Sequence, residues 1–211
     1  MLKIYGHPGS RAARTLWVCR ELGVQFEHIP THFADGGTQS AAFLAINPAG
    51  RTPALVDGDF KLGESTAIMQ YLASQKPNSL WPNDARTRAD IMRWQSWSLA
   101  HWSKEGCEPL IFNRLVKKLL NLGGPDEAAV AQGTQCFNKE AAVLDAHLAK
   151  QPFLAGKELT LADFSVAAPL FYAKEAELPV GPYARVQEWF GRVSALSCWR
   201  ETAPQFAAAA A

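Results

Sequence analysis

The chain has 211 residues, 48% hydrophobic and 19% charged, with a formal net charge of +1. Such a composition excludes a disordered chain, and without a basic block it argues against non-specific binding of nucleic acid or anionic membranes. No run of roughly 18 apolar residues is present, so no membrane span is expected.

Met1-Leu2-Lys3-Ile4-Tyr5 reads as a strand from the outset, and no signal peptide is expected. The cysteines, Cys19, Cys107, Cys136 and Cys198, are far apart and form no Cys-x-x-Cys. Neither a disulfide frame nor a metal site is expected; scattered thiols suit a reducing cytoplasm and read as small buried apolar residues.

Leu2 to Tyr5 is the first strand and Gly6-His7-Pro8-Gly9 a loop. Ser10 stands where a helix begins; Leu16, Trp17, Cys19, Arg20 and Leu22 fall within it, and Gly23 ends it. Gln25 to Ile29 is a second strand, so the unit is β-α-β with a parallel pair. Thr31 to Ser40 is a polar, Gly-rich loop and Ala41 to Ile46 a short helical turn. Asn47-Pro48-Ala49-Gly50 is turn chemistry, followed by a strand from Pro53 to Val56. Asp57-Gly58 signals a hairpin, because its turn needs φ > 0, and Phe60 to Leu62 is the return strand. Glu64-Ser65 opens a helix with Ile68, Tyr71 and Leu72 on one face. Residues 1–75 thus read as a thioredoxin-like α/β domain.

Residues 76–85 form a linker, and 86–211 read as an all-α domain. A helix runs from Arg86 to about Asn121, with Pro109 expected to kink or divide it. Trp94, Trp97 and Trp102 recur on helical spacing, which suits a core; His101, Glu105 and Phe112 are candidates for a substrate-lining face. After the Gly123-Gly124-Pro125 turn comes a helix from Asp126 to Lys150. Thr160-Leu161-Ala162-Asp163 reads as a capping box, which makes Asp163 structural. A last amphipathic helix is expected from Tyr183 to Trp199, and Ala207 to Ala211 is expected to fray.

Asn-Pro-x-Gly-x-x-Pro-x-Leu, followed by Leu-x-Glu-Ser-x-Ala-Ile-x-x-Tyr-Leu, resembles the N-terminal domain of cytosolic glutathione S-transferases. The likeness extends from Leu2 to about Trp199. It implies the two-domain transferase architecture, glutathione as co-substrate, no metal, a small electrophilic second substrate, a cytoplasmic setting and a homodimer. Carried over by motif, Thr52 ahead of a cis-Pro53 pairs with the cysteinyl backbone of glutathione, and Glu64 and Ser65 hold its γ-glutamyl end. Gly6-His7-Pro8-x-Ser10 resembles phi-class and related bacterial transferases, in which this serine binds the glutathione sulfur. Read without the resemblance, Ser10 and Ser65 are ordinary helix-start residues. Tyr5 is a rival hydroxyl, ranked below Ser10 because it lies within the strand.

This chemistry needs a thiolate, since a free thiol of pKa near 8.5 is a few per cent ionised at neutral pH. Lowering that pKa by about two units takes roughly 2.7 kcal/mol. A hydroxyl on an anion supplies about 1.5–3 kcal/mol and a helix N-terminus about 0.3–1. The sequence departs from the phi-like pattern at Thr38-Gln39, where such members carry His-Lys against the glycine end. Gln39, with Arg51 or His32, is expected to serve there. Ala49 replaces an aromatic used in dimer contacts. The same fold also hosts glutathione-dependent peroxidases, isomerases and dehalogenases, and non-catalytic binding proteins.

Overall fold

The computed structural model describes residues 1–33 and 35–202 and divides into two units: Met1–Trp81 with the segment from Ala195 onward, and Pro82–Ser194. In the first, β1 (Lys3–Tyr5), α1 (Ala12–Glu21), β2 (Glu27–Ile29), α2 (Ala41–Leu44), β3 (Ala54–Asp57), β4 (Phe60–Gly63) and α3 (Ser65–Ser74) follow in order. The sheet order is β2-β1-β3-β4, with β1 parallel to β2 and the other pairs antiparallel. Asp57 pairs with Phe60, so Gly58-Asp59 form the two-residue hairpin loop, with Gly58 at φ 62°.

Strand β2 begins two residues later than expected. The Val24 N–H closes on the Cys19 carbonyl (2.8 Å), so the helix-ending turn takes up the residues before Glu27. Ile4 and Leu55 of the sheet are fully buried, as are Leu16 of α1 and Ile68 and Met69 of α3. Each such side chain contributes about 1.5–3 kcal/mol of apolar burial. Cys19 belongs to this core; burial pushes its thiol up to about 12, against a smaller opposing pull from Arg20.

In the second unit, α4 (Ala85–Trp97), α5 (Glu108–Ile111) and α6 (Lys117–Leu119) are joined by π-helical stretches, Ser98–Cys107 and Phe112–Val116. Pro109 therefore neither breaks the rod nor divides it. The Glu108 N–H reaches back five residues to the Ser103 carbonyl, and this wider register accommodates a proline that has no N–H of its own. α7 (Glu127–Leu148) crosses the rod at Gly106, where a Cβ would stand 3.1 Å from the Phe137 Cα. The tryptophans are packing residues: Trp97 stacks on Trp102 (5.8 Å, 11°), whose indole N–H donates to the Val166 carbonyl at 2.9 Å.

α8 (Leu161–Ala167) starts at the expected capping box. The fully buried Asp163 carboxylate accepts from the Leu154 and Thr160 N–H groups, the Thr160 hydroxyl and the Trp189 indole, at 2.8–3.0 Å. Burial pushes this carboxyl above the usual range; the four donors pull it down.

The expected last helix is two, α9 (Ala184–Ser194) and α10 (Ser197–Thr202). α10 belongs with the first unit, where Trp199 stacks on Trp17 with ring centroids 4.0 Å apart. The segment from Ala195 thus leaves the expected 86–211 span. Ala207 to Ala211 lie outside the described residues. Among those described, no helix is long and apolar enough to cross a membrane.

Candidate active site

The site begins with a glycine. Gly6 follows β1 at φ 145°, and a Cβ there would meet Ala12 at 2.5 Å and Thr52 at 3.2 Å. Its missing side chain lets the start of α1 and the Thr52-Pro53 segment close on the same strand end. The Thr52-Pro53 peptide is cis, as expected.

Beyond Gly6 the chain turns tightly. The Ser10 N–H donates to the His7 carbonyl at 2.9 Å, and the Ser10 hydroxyl donates to the same oxygen at 2.7 Å. Ser10 Oγ in turn accepts the Ala12 N–H at 3.2 Å. The hydroxyl therefore lies at the positive end of α1, and both of its functions are engaged locally. Its single proton is on a backbone carbonyl that has a second donor, so it can turn to an anion without orphaning that oxygen.

The Thr52-Pro53 segment that Gly6 admits lines a small recess of about 40 Å³, together with Arg11, Asn47, Arg51, Glu64 and Ser65. Its size suits one carboxylate rather than a whole tripeptide. Four of the residues expected from the motif, Thr52, Pro53, Glu64 and Ser65, are brought together here with Arg51. Ser65 is the first residue of α3, buried, and lines the recess, so the positive dipole end of that helix lies beside it. Glu64 has φ 65° and ψ 119°, a region costly for a side chain with a Cβ. Strain of this kind, about 1–3 kcal/mol, gathers at binding sites.

Gln39 does not line the recess. Its amide donates to the Gly50 carbonyl at 3.3 Å, while Thr38 is buried. Of this pair only Gln39 is exposed. Tyr5 does not line this recess; its ring stands edge-on to Phe43 at 6.1 Å, and it lines a separate recess of about 300 Å³ with Ile29, Phe43 and Ile46.

In the second unit, His101 and Glu105 pair across a helical turn (3.8 Å), both half exposed, and Phe112 is exposed beside Lys117. A recess of about 620 Å³ in that unit is lined by Arg114, Lys117, Lys118, Asn121 and Glu177 among others, and contains none of the three.

Two lining residues were not anticipated. Arg11 follows Ser10 directly, and only the return of the 47–53 loop brings it to the recess. Asn47 was read as turn chemistry, yet its amide also holds the Arg51 carbonyl at 2.7 Å. Among the described residues, no group of three or more His, Cys, Asp or Glu is arranged to hold a metal ion.

A thioredoxin-like sheet with a serine hydroxyl two residues ahead of its first helix, a cis-proline and a strained Glu-Ser helix start is the arrangement that the glutathione S-transferase resemblance implies. Residues 1–74 match the family model described as the glutathione S-transferase N-terminal domain, and 127–192 match that of the C-terminal domain. The chain is 36% identical over 208 residues to Glutathione S-transferase 3 of Zea mays, covering 95% of this chain and 92% of that protein. It is similar in structure (TM-score 0.87, 27% identity, 96% and 98% covered) to glutathione S-transferase I bound with lactoylglutathione. It is likewise similar to a theta-class glutathione S-transferase of Xanthomonas axonopodis pv. citri with glutathione bound (TM-score 0.86, 27% identity, 96% and 97% covered). The chain belongs to the glutathione S-transferase family.

Proposed function

We infer that this transferase binds glutathione along Thr52, with the γ-glutamyl end in the recess at Glu64 and Ser65 and the sulfur at the Ser10 hydroxyl. Arg51 and Arg11 supply positive charge for the peptide's carboxylates, and Gln39 stands at the glycine end. The thiolate then attacks a small apolar electrophile. The carrying observation is Gly6: its close approach to Ala12 and to Thr52 joins the hydroxyl at the start of α1 to the recess beneath α3. His101, Glu105 and Phe112 are proposed contacts for the second substrate.

The remaining reading is a cytoplasmic homodimer acting in detoxification. Ala49 is exposed and small, so a dimer contact made by an aromatic at this position in phi-like members has to be made by other residues.

The burial of Thr38 favours weaker hold on the glycine end, which keeps a binding protein as the second reading. Calorimetric titration with glutathione, followed by a screen of activated chloroarenes and organic peroxides, separates the cases. Conjugation supports the transferase and peroxide reduction a peroxidase on the same thiolate. Glutathione binding without turnover supports the binder. No glutathione binding at all overturns the site.

A further inference from the structure

We propose that His7 is a positioning residue for the Ser10 loop, acting through a neutral imidazole whose Nδ1 lone pair holds the Gly9 N–H. This rests on the reading of Ser10 as the thiolate partner. The Gly9 N–H lies 3.0 Å from His7 Nδ1. A backbone N–H can only donate, so Nδ1 carries no proton and the ring is the Nε2–H tautomer. The carbonyl of the same residue accepts both the Ser10 N–H and the Ser10 hydroxyl. Three hydrogen bonds that shape the loop thus end on one residue, and one of them depends on the charge state of its ring.

The surroundings hold the ring in that state. His32, on the loop after β2, stands with its ring centroid 4.2 Å away, and His28 on β2 donates from Nε2 to the Gly6 carbonyl at 2.7 Å. On β1, Tyr5 turns its ring to Phe43; the next ionisable side chain along the loop is the exposed Arg11. Burial pushes the His7 imidazole below its ordinary 6.5, and His32 and His28 push it the same way. The imidazole is therefore predominantly neutral at neutral pH, where its bond to Gly9 is made. As the pH falls through the lowered value, Nδ1 gains a proton, two N–H groups face each other, and the loop loses that anchor.

The test uses His7→Ala and His7→Asn. An Asn oxygen can accept an N–H two residues on, as in an Asx-turn, but does not titrate. Without any glutathione, ring ¹⁵N shifts of the wild type should show an unprotonated Nδ1 at neutral pH, and His7→Ala should speed amide exchange at Gly9 and Ser10. With glutathione and an electrophile, His7→Ala should lower kcat about tenfold, as expected for a misplaced catalytic group, with KM for glutathione much less changed. His7→Asn should restore kcat and remove the acid-side fall caused by His7 protonation. A protonated Nδ1, unchanged exchange and kcat in His7→Ala, or an Asn variant no better than Ala would each overturn the proposal. The glutathione-free measurements stand even if no electrophile is conjugated, so failure here is separable from failure of the transferase site.

Discussion

Replacing Ser10 by Ala tests the thiolate directly, and the structure sets the size of the effect. A hydroxyl donated to an anion is worth about 1.5–3 kcal/mol. Here that hydroxyl is already donated to the His7 carbonyl at 2.7 Å, a neutral bond of about 0.5–1.5 kcal/mol that must be released first. The carbonyl keeps the Ser10 N–H, so no further loss arises. The net is roughly 1–1.5 kcal/mol, or about one pKa unit. The ultraviolet absorbance of bound glutathione thiolate, titrated in both proteins, should show a midpoint about one unit higher in Ser10→Ala. Below both midpoints the conjugation rate should fall about tenfold, and Ser10→Thr, which keeps a hydroxyl, should recover much of it. Coincident titration curves for wild type and Ser10→Ala would refute the reasoning and move the thiolate partner elsewhere.

Three further outcomes follow from single contacts. Glu64→Ala should weaken glutathione about ten- to a hundredfold by calorimetry, the loss of one charge-assisted hydrogen bond, with little change in thermal midpoint because Ala meets the same φ of 65°. Gly6→Ala should cost about 2–4 kcal/mol in denaturant unfolding, since its Cβ would stand 2.5 Å from Ala12 Cβ at a φ of 145°; unchanged stability would show that the strand end can spread. Asp163→Ala should cost about 3–5 kcal/mol, because it orphans buried N–H groups of Leu154, Thr160 and Trp189. At temperatures where that variant remains folded, the thiol titration of bound glutathione should match wild type; a shifted midpoint would give Asp163 a part in the site.

Much of the first unit was legible because its signals are local. Asp57-Gly58 specifies a hairpin, and strand-helix-strand spacing specifies a parallel pair. The capping box at Thr160 and Asp163 was legible for the same reason. The π stretches were not, since α and π registers use the same side chains and differ only in which carbonyl each N–H reaches. The break between α9 and α10 was hidden too: the pattern through Ala195-Leu196 stays helical, and the docking of Trp199 on Trp17 is a contact 182 residues apart in the chain. Motif resemblance singled out Thr52, Glu64 and Ser65. It left out Arg11, included Asn47 only as turn chemistry, and could not tell that Thr38 is buried.

The recess is bordered by two positions with positive φ, Glu64 and Gly6. Glu64 takes a backbone conformation that glycine would adopt more easily, and Gly6 gives up a side chain inside a buried strand end. The first choice costs the fold backbone strain, whereas the second is what lets α1 and the Thr52 segment close on the strand end. A glycine at position 64 would relieve strain, whereas a Cβ at position 6 would stand 2.5 Å from Ala12. Natural sequences keep strain of the first kind mainly at functional sites. Both positions border Thr52 or Ser65, and their coincidence ties the recess to the loop of Ser10 more firmly than any single motif residue does. Glu64→Gly and Gly6→Ala, made singly, should therefore move stability in opposite directions while each lowers glutathione affinity. An affinity loss from only one of the two, measured by calorimetry, would separate the recess from the Ser10 loop.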